Sequence, residues 1–538
     1  MLQNRTSPAR RATRIGLTML LLGAAATAAS ALSFTTTSPA QVEGLDGWTV
    51  KPIFTVGETI DGYTPPGILD GLGAQKLNGK VVRVYANHEL GNSAGYVYSL
   101  ANGLQLKGAR ISFFDIDRQS RDLCDAGLAY DTVYDRYGNV VIAAPQINES
   151  TSTINGFARF CSSSFYDKGD YGFADDIYIT GEESSNGSQW ALDVAGRKIW
   201  ACPMLGRGGW ENVSAIKTGC KDQIALLMGD DTVSAPLYLY VGRKIKGGSF
   251  LERNGLAQGQ LYVWVADNGD LTPEDFGGTG ASRAGRFLPL DVRDVAKAGR
   301  PGYDAQGYLN DVTLRAEALA LGAFSFSRPE DIHTNPRCGT QAVFASTGRG
   351  SVYPSDDWGT IYVIDVEWNR CRKCRKGSDL PETVPTSLEI LHNAGDLAIP
   401  DAGIRSPDNL VWALDGQIYV QEDKSTQLNV FGAVSGREAS IWQLDPDDGD
   451  FTRIGEIDRS AVVPAGTTDS APLDIGNWET SGIIDVTNLF PTPKGERLLL
   501  ADSQAHSVRD GVIGGSTKLV EGGQLFLLSK KRDPRCRD

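Results

Sequence analysis

The feature that most constrains this chain is a two-part pattern repeated six times along its 538 residues. An apolar run of β type closes on a polar or acidic cluster, and a loop then leads to a second apolar and aromatic run. The first runs are residues 84–89 (VYANHE), 177–183 (IYITGEE), 224–231 (IALLMGDD), 343–350 (VFASTGRG), 418–423 (IYVQED) and 498–503 (LLLADS). Their partners are 111–115 (ISFFD), 190–193 (WALD), 261–265 (LYVWV), 361–365 (IYVID), 441–445 (IWQLD) and 525–528 (LFLL). Short strands repeated with turns between them indicate stacked units, and with no atypical cap at either end a closed ring is expected. The sequence predicts an all-β, six-bladed β-propeller with short decorating helices in the blade loops. The 62 glycines suit its many tight turns. Helical stretches are expected to be short, for example at 292–298 and 312–321.

The pattern starts well inside the chain, and the residues before it read as a targeting segment. Arg5, Arg10, Arg11 and Arg14 give a basic start, residues 15–28 are apolar and rich in alanine, and Ala29-Ser30-Ala31 has the form of a cleavage site. A signal peptide over 1–31 is predicted, with an alternative cut near 40, followed by a single propeller domain over 41–538. The protein is expected to be exported to the periplasm, cell surface or medium, without stable membrane insertion and as a monomer. Removing four arginines and no acid takes the formal charge from −14 to −18. Such a field repels nucleic acid, and phosphorylated substrates too unless cations intervene. Eight cysteines in an exported chain suggest disulfides, with Cys202–Cys220 and then Cys124–Cys161 the best local pairs. A further disulfide is the reading of the CxxC at Cys371 and Cys374, which has no second ligand pair for zinc.

The strand ends carry the candidate chemistry. Glu89, Glu182, Glu183, Asp230, Asp231, Glu422 and Asp423 close first-type strands. A second set of acids lies ten to twenty residues upstream: Glu211 in GWEN, Glu330 in SRPED, Asp408 in SPDN and Glu479 in WETSG. If these open the innermost strands, their carboxylates converge on the axis as hard oxygen ligands, suited to calcium or magnesium and acceptable to ferric iron. An isolated acid at a strand end is ordinarily a solvated turn residue, which is the reading given to Asp230, Asp423 and Asp502. Arg328 suits either a structural carboxylate or a phosphate. Of the four histidines, His88, His333 and His506 fall near mouth segments, where a hydrogen-bonded loop role competes with ligation or proton transfer. The acidic turn at 445–450 lacks the terminal acid of an EF-hand. No phosphate-binding loop or HExxH helix is present.

With these pieces in order, the chain resembles the PhoX-type alkaline phosphatase family and related phytase-like exported propellers. The resemblance is carried by ANHE (86–89), TGEE (180–183), MGDD (228–231), SRPE (327–330), SPDN (406–409) with DGQI (415–418), and WETSG (478–482) through SQAH (503–506). It implies an exported metal-dependent phosphoesterase acting on a small phosphorylated substrate, with Glu183, Glu211 and Glu330 as metal ligands and Arg328 as a phosphate contact. With the strand-end reading, the expected metal set is Glu89, Glu183, Glu211, Glu330, Asp408 and Glu479, and the expected catalytic pair is Arg328 and Glu330. The family places a cysteine ligand for iron in its Thr-Cys-Glu-Glu stretch, and this chain has Gly181 there. That exchange favours calcium over iron. A non-catalytic calcium-binding scaffold is the competing class, and lactone hydrolysis at a calcium-bearing pore a third.

Overall fold

The computed structural model describes residues 33–368, 379–424 and 430–531. The predicted leader and Cys371-to-Cys374 loop lie outside them. The described chain is all-β and propeller-like. Its strand pairing resolves into groups whose innermost members are Leu69–Lys76, Phe160–Tyr166, Arg207–Ile216, Pro329–Thr334, Pro407–Trp412 and Trp478–Asp485. Each inner strand packs against the next, and the sixth packs against the first. The chain's early strand Thr49–Thr55 pairs with Gly522–Lys530 in the sixth group, so residues near the two ends of the body share one sheet.

Burial explains the apolar runs. All eight residues of Gln223–Asp230 are buried. Successive side chains on a strand point to opposite faces, and here Ile224, Leu226 and Met228 enter one core while Ala225 and Leu227 enter the next. A sheet covered on both faces therefore reads as a continuous hydrophobic run. The predicted first-type strands are the second strands of their groups. The expected separate strand at 190–193 is instead the end of one long irregular strand, Ile177–Asp193. The expected helix at 312–321 is Asp311–Ala320, whose first turn Asn310 caps by accepting from the Thr313 N–H at 2.8 Å. At 292–298 only a single turn, Val295–Lys297, forms.

The two predicted disulfides do not form. Cys124, Cys161 and Cys202 are free thiols, while Cys220 is disulfide-bonded but not to any of these. Cys202 is buried in the core of the second and third groups, and Cys161 has turned toward the axis. Among the described residues, no helix is long and apolar enough to cross a membrane.

Candidate metal centre

The six inner strands open in the same way. A bulky buried residue is followed at once by a metal-donor residue, giving Leu69-Asp70, Phe160-Cys161, Trp210-Glu211, Pro329-Glu330, Pro407-Asp408 and Trp478-Glu479. In five of the six the pairing register shifts across the donor, between Leu69 and Leu72, Phe160 and Ser163, Trp210 and Val213, Pro329 and Ile332, and Pro407 and Leu410. In the sixth the shift comes slightly later, between Ser481 and Ile483. Such bulges leave a residue out of the ladder and re-aim its side chain. All six donors line one cavity of about 420 Å³.

A second tier comes from the ends of the second strands. Glu89, Asp231 and Asp423 follow those strands, Glu183 sits at the irregularity within its long strand, and all four line the same cavity. Their sequence neighbours do not. Glu182 turns into the scaffold, where it accepts from the Ala158 N–H at 3.0 Å, the Ser188 N–H at 3.2 Å and the Trp190 indole at 3.0 Å. Asp230 accepts from Arg315 at 2.9 Å and from the Gly209 N–H at 3.0 Å. Glu422 is fully buried against Arg405, 2.7 Å from its guanidinium. Glu182, Asp230 and Glu422 thus hold structure in place, and the solvated-turn reading of Asp230, Asp423 and Asp502 is corrected. Asp423 faces the cavity, and Asp502 is fully buried.

Three overlapping sets of donor atoms each lie within 4.8 Å of one another: Asp70, Glu89 and Cys161; Cys161, Glu183 and Glu211; and Glu211, Glu330 and Asp408. Cys161 and Glu211 are shared, so the sets form a continuous arc. Glu479 lines the cavity but stands outside these sets, with its carboxylate 3.5 Å from His506 Nε2. The other ring nitrogen of His506 lies 2.6 Å from Glu521. The remaining mouth histidines are elsewhere. His88 is buried between the Gly67 carbonyl and the Ser112 hydroxyl, and His333 opens into a different cavity.

The electrostatics call for cations. Burial, and after it the neighbouring carboxylates, push Glu211 and Asp408 well above the usual carboxylate range. Burial is also the largest cause for Glu183, Glu330 and Glu479, and it moves Asp70, with help from Glu89, up to about 8. Asp231 alone goes down: burial opposes ionisation there, but the Arg328 charge and hydrogen bonds outweigh it. Glu211 Oε1 and Asp408 Oδ1 are buried without a hydrogen-bond partner. Buried carboxylates without partners are tolerated when they coordinate metal. Carboxylate oxygens are hard donors. Burial and the surrounding carboxylates push the Cys161 thiol up, and its sulfur adds a softer donor once a bound cation deprotonates it.

The thiol therefore exists, at a position the sequence reading passed over. A side chain at Gly181 would place its Cβ 2.4 Å from the Trp210 Cβ and 2.6 Å from the Trp210 carbonyl oxygen, so no cysteine fits there. Asp70 was missed as well. The signal for both was the bulky-residue-then-donor step shared with the four inner strands that had been identified. Arg328 lines the same cavity. Its Nε donates to Asp231 at 2.7 Å, and its Nη2 lies 3.2 Å from Glu330.

Comparison with known proteins bears on the family and the fold. The family described as "Alkaline phosphatase PhoX" matches residues 197–461. Among solved structures, Pseudomonas fluorescens PhoX in complex with vanadate, a transition state analogue, superposes with a TM-score of 0.58 at 16% identity, covering 93% of this chain and 97% of that one. An α-L-arabinanase from Penicillium chrysogenum, complexed with arabinobiose, aligns over 89% of this chain and 98% of its own at 10% identity, with a TM-score of 0.33. No curated protein matches by sequence.

Proposed function

We propose that this chain, whose residues 197–461 match the PhoX alkaline phosphatase family, is a metal-dependent phosphoesterase, working at the axial cavity on phosphate esters. The observation that carries this reading is the repeated placement of a donor at the head of every inner strand, with Cys161 among the carboxylates. Asp70, Glu89, Cys161, Glu183, Glu211, Glu330 and Asp408 would hold the metals, calcium on the carboxylate-rich side and iron near the thiolate. When bound, such cations supply Lewis-acid charge to a phosphoryl group and acidify water.

The protein's own groups do the positioning. Asp231 and Glu330 fix the Arg328 guanidinium at the cavity wall, where its charge faces an incoming phosphate. Thr347 Oγ1 donates to Glu330 and fixes the rotamer of that ligand. Glu182, next to Glu183 on the strand, pins the segment before Phe160 from which Arg159 projects. Export remains part of the proposal. A leader removed near Ala31 is favoured over a cut at 40, since Phe34 pairs with Leu123 and Thr36 is buried against Thr55 and Glu58. The test is hydrolysis of a phosphate monoester by protein loaded with calcium and iron. Glu330→Ala should reduce turnover by at least a hundredfold with the fold intact, and an unaffected variant would remove the proposal's basis.

A further inference from the structure

Arg159 has no role in the family resemblance, yet it occupies a conspicuous place at the mouth. Its Nη2 lies 2.5 Å from Glu89 and also contacts Glu183, while its Nε donates to Glu183 at 2.8 Å. Among the described residues its Nη1 has no partner. About half of its side chain is exposed, 48% against 16% for Arg328. One guanidinium is therefore locked into the wall, and the other is anchored along one edge with its remaining edge open to the cavity.

The backbone shows that this placement is built. Arg159 has φ +44°, the left-handed region that side chains other than glycine seldom adopt. Three hydrogen bonds hold the kink: its own N–H to the Leu90 carbonyl at 2.8 Å, the Glu183 N–H to its carbonyl at 2.8 Å, and the neighbouring Ala158 N–H to Glu182 at 3.0 Å. Unusual backbone that the surroundings over-determine concentrates at ligand clamps. Around the rim, Glu183 pairs with Arg159 and Asp231 with Arg328, and the two carboxylates neighbour each other.

Building on the phosphoesterase reading, we infer that Arg159 and Arg328 form a two-arginine clamp for the phosphoryl oxygens, and that Arg159 biases the site toward the terminal dianion of a phosphomonoester. Two planar forks match the several charged oxygens of a terminal phosphate. An internal diester carries a single charge and offers Arg159 less.

The test uses full-length protein loaded with calcium and iron, with inorganic phosphate as the calorimetric probe. Arg159→Ala should weaken phosphate binding on the order of 10- to 100-fold, the range for one charged hydrogen-bonding group. Metal content should stay at the wild-type level, and the monoester-to-diester ratio of kcat/KM should fall. Arg159→Lys keeps the charge and stem without the fork, and should fall between the two. Unchanged phosphate affinity in Arg159→Ala would overturn the inference. Loss of bound metal would overturn it too, because Arg159 would then be organising ligands. Wild-type protein that neither binds phosphate nor turns over either ester would instead sink the phosphoesterase reading itself.

Discussion

Glu182 and Glu183 are adjacent acids to which the structure gives opposite work, and separating them tests the reasoning sharply. Glu182 is 2% exposed and accepts from three donors, the Ala158 and Ser188 N–H groups and the Trp190 indole. Glu182→Ala leaves all three in the interior, and each orphaned donor costs about 1–3 kcal/mol, so roughly 3–6 kcal/mol is lost after partial relaxation. With an unfolding entropy of roughly 2 cal/mol/K per residue over roughly 500 residues, that lowers Tm by about 3–6 °C. Glu183 accepts from Arg159, a half-exposed partner, and burial drives its carboxyl upward. Glu183→Ala should leave the metal-free Tm within about 1 °C of wild type. It should instead shrink the calcium-induced rise, about 3 °C in wild type at a hundredfold excess of calcium over Kd. The assay is scanning calorimetry of metal-free and calcium-loaded protein. A Glu182→Ala protein that melts like wild type, or a Glu183→Ala protein equally destabilised without metal, would refute this division of labour.

Two further outcomes follow from buried charge. His88 is held neutral by burial, its pKa lowered to about 3 from 6.5. The folded state then binds fewer protons than the unfolded one between those values, so this residue's contribution is complete above pH 6.5 and drains away as pH falls toward 3. The full shift corresponds to about 5 kcal/mol, and His88→Gln should flatten the stability-against-pH curve in that window; an unchanged slope in urea denaturation would contradict it. Arg405 is 1% exposed and pairs with Glu422 and Asp401. Arg405→Ala should cost about 3–5 kcal/mol by stranding two carboxylates, and a loss below about 1 kcal/mol in urea denaturation would show the triad to be dispensable.

The repeat was legible in the sequence because strands buried on both faces write themselves as apolar runs, and the turns between them are local chemistry. Paired acids were harder. In Glu182-Glu183, Asp230-Asp231 and Glu422-Asp423 the second member faces the cavity and the first supports the scaffold, which the two-residue period of a strand explains in retrospect. Asp70 was hidden in a Gly-rich stretch that reads as a turn, Ile68-Leu69-Asp70-Gly71. Cys161 was assigned to a disulfide with Cys124, since spacing alone does not tell a paired thiol from a ligand. The long-range fact that Trp210 fills the space beside Gly181 was needed to see why position 181 carries no side chain.

The proposed chemistry at this axis depends on metals held by Cys161 and its ring of carboxylates. Its most direct test is to strip the purified protein with chelator, restore calcium and iron stepwise, and follow phosphomonoester turnover against bound metal in the same samples. Turnover should vanish with the metals and return in proportion to their occupancy. Full turnover by metal-free protein, or none by fully loaded protein, would contradict the account.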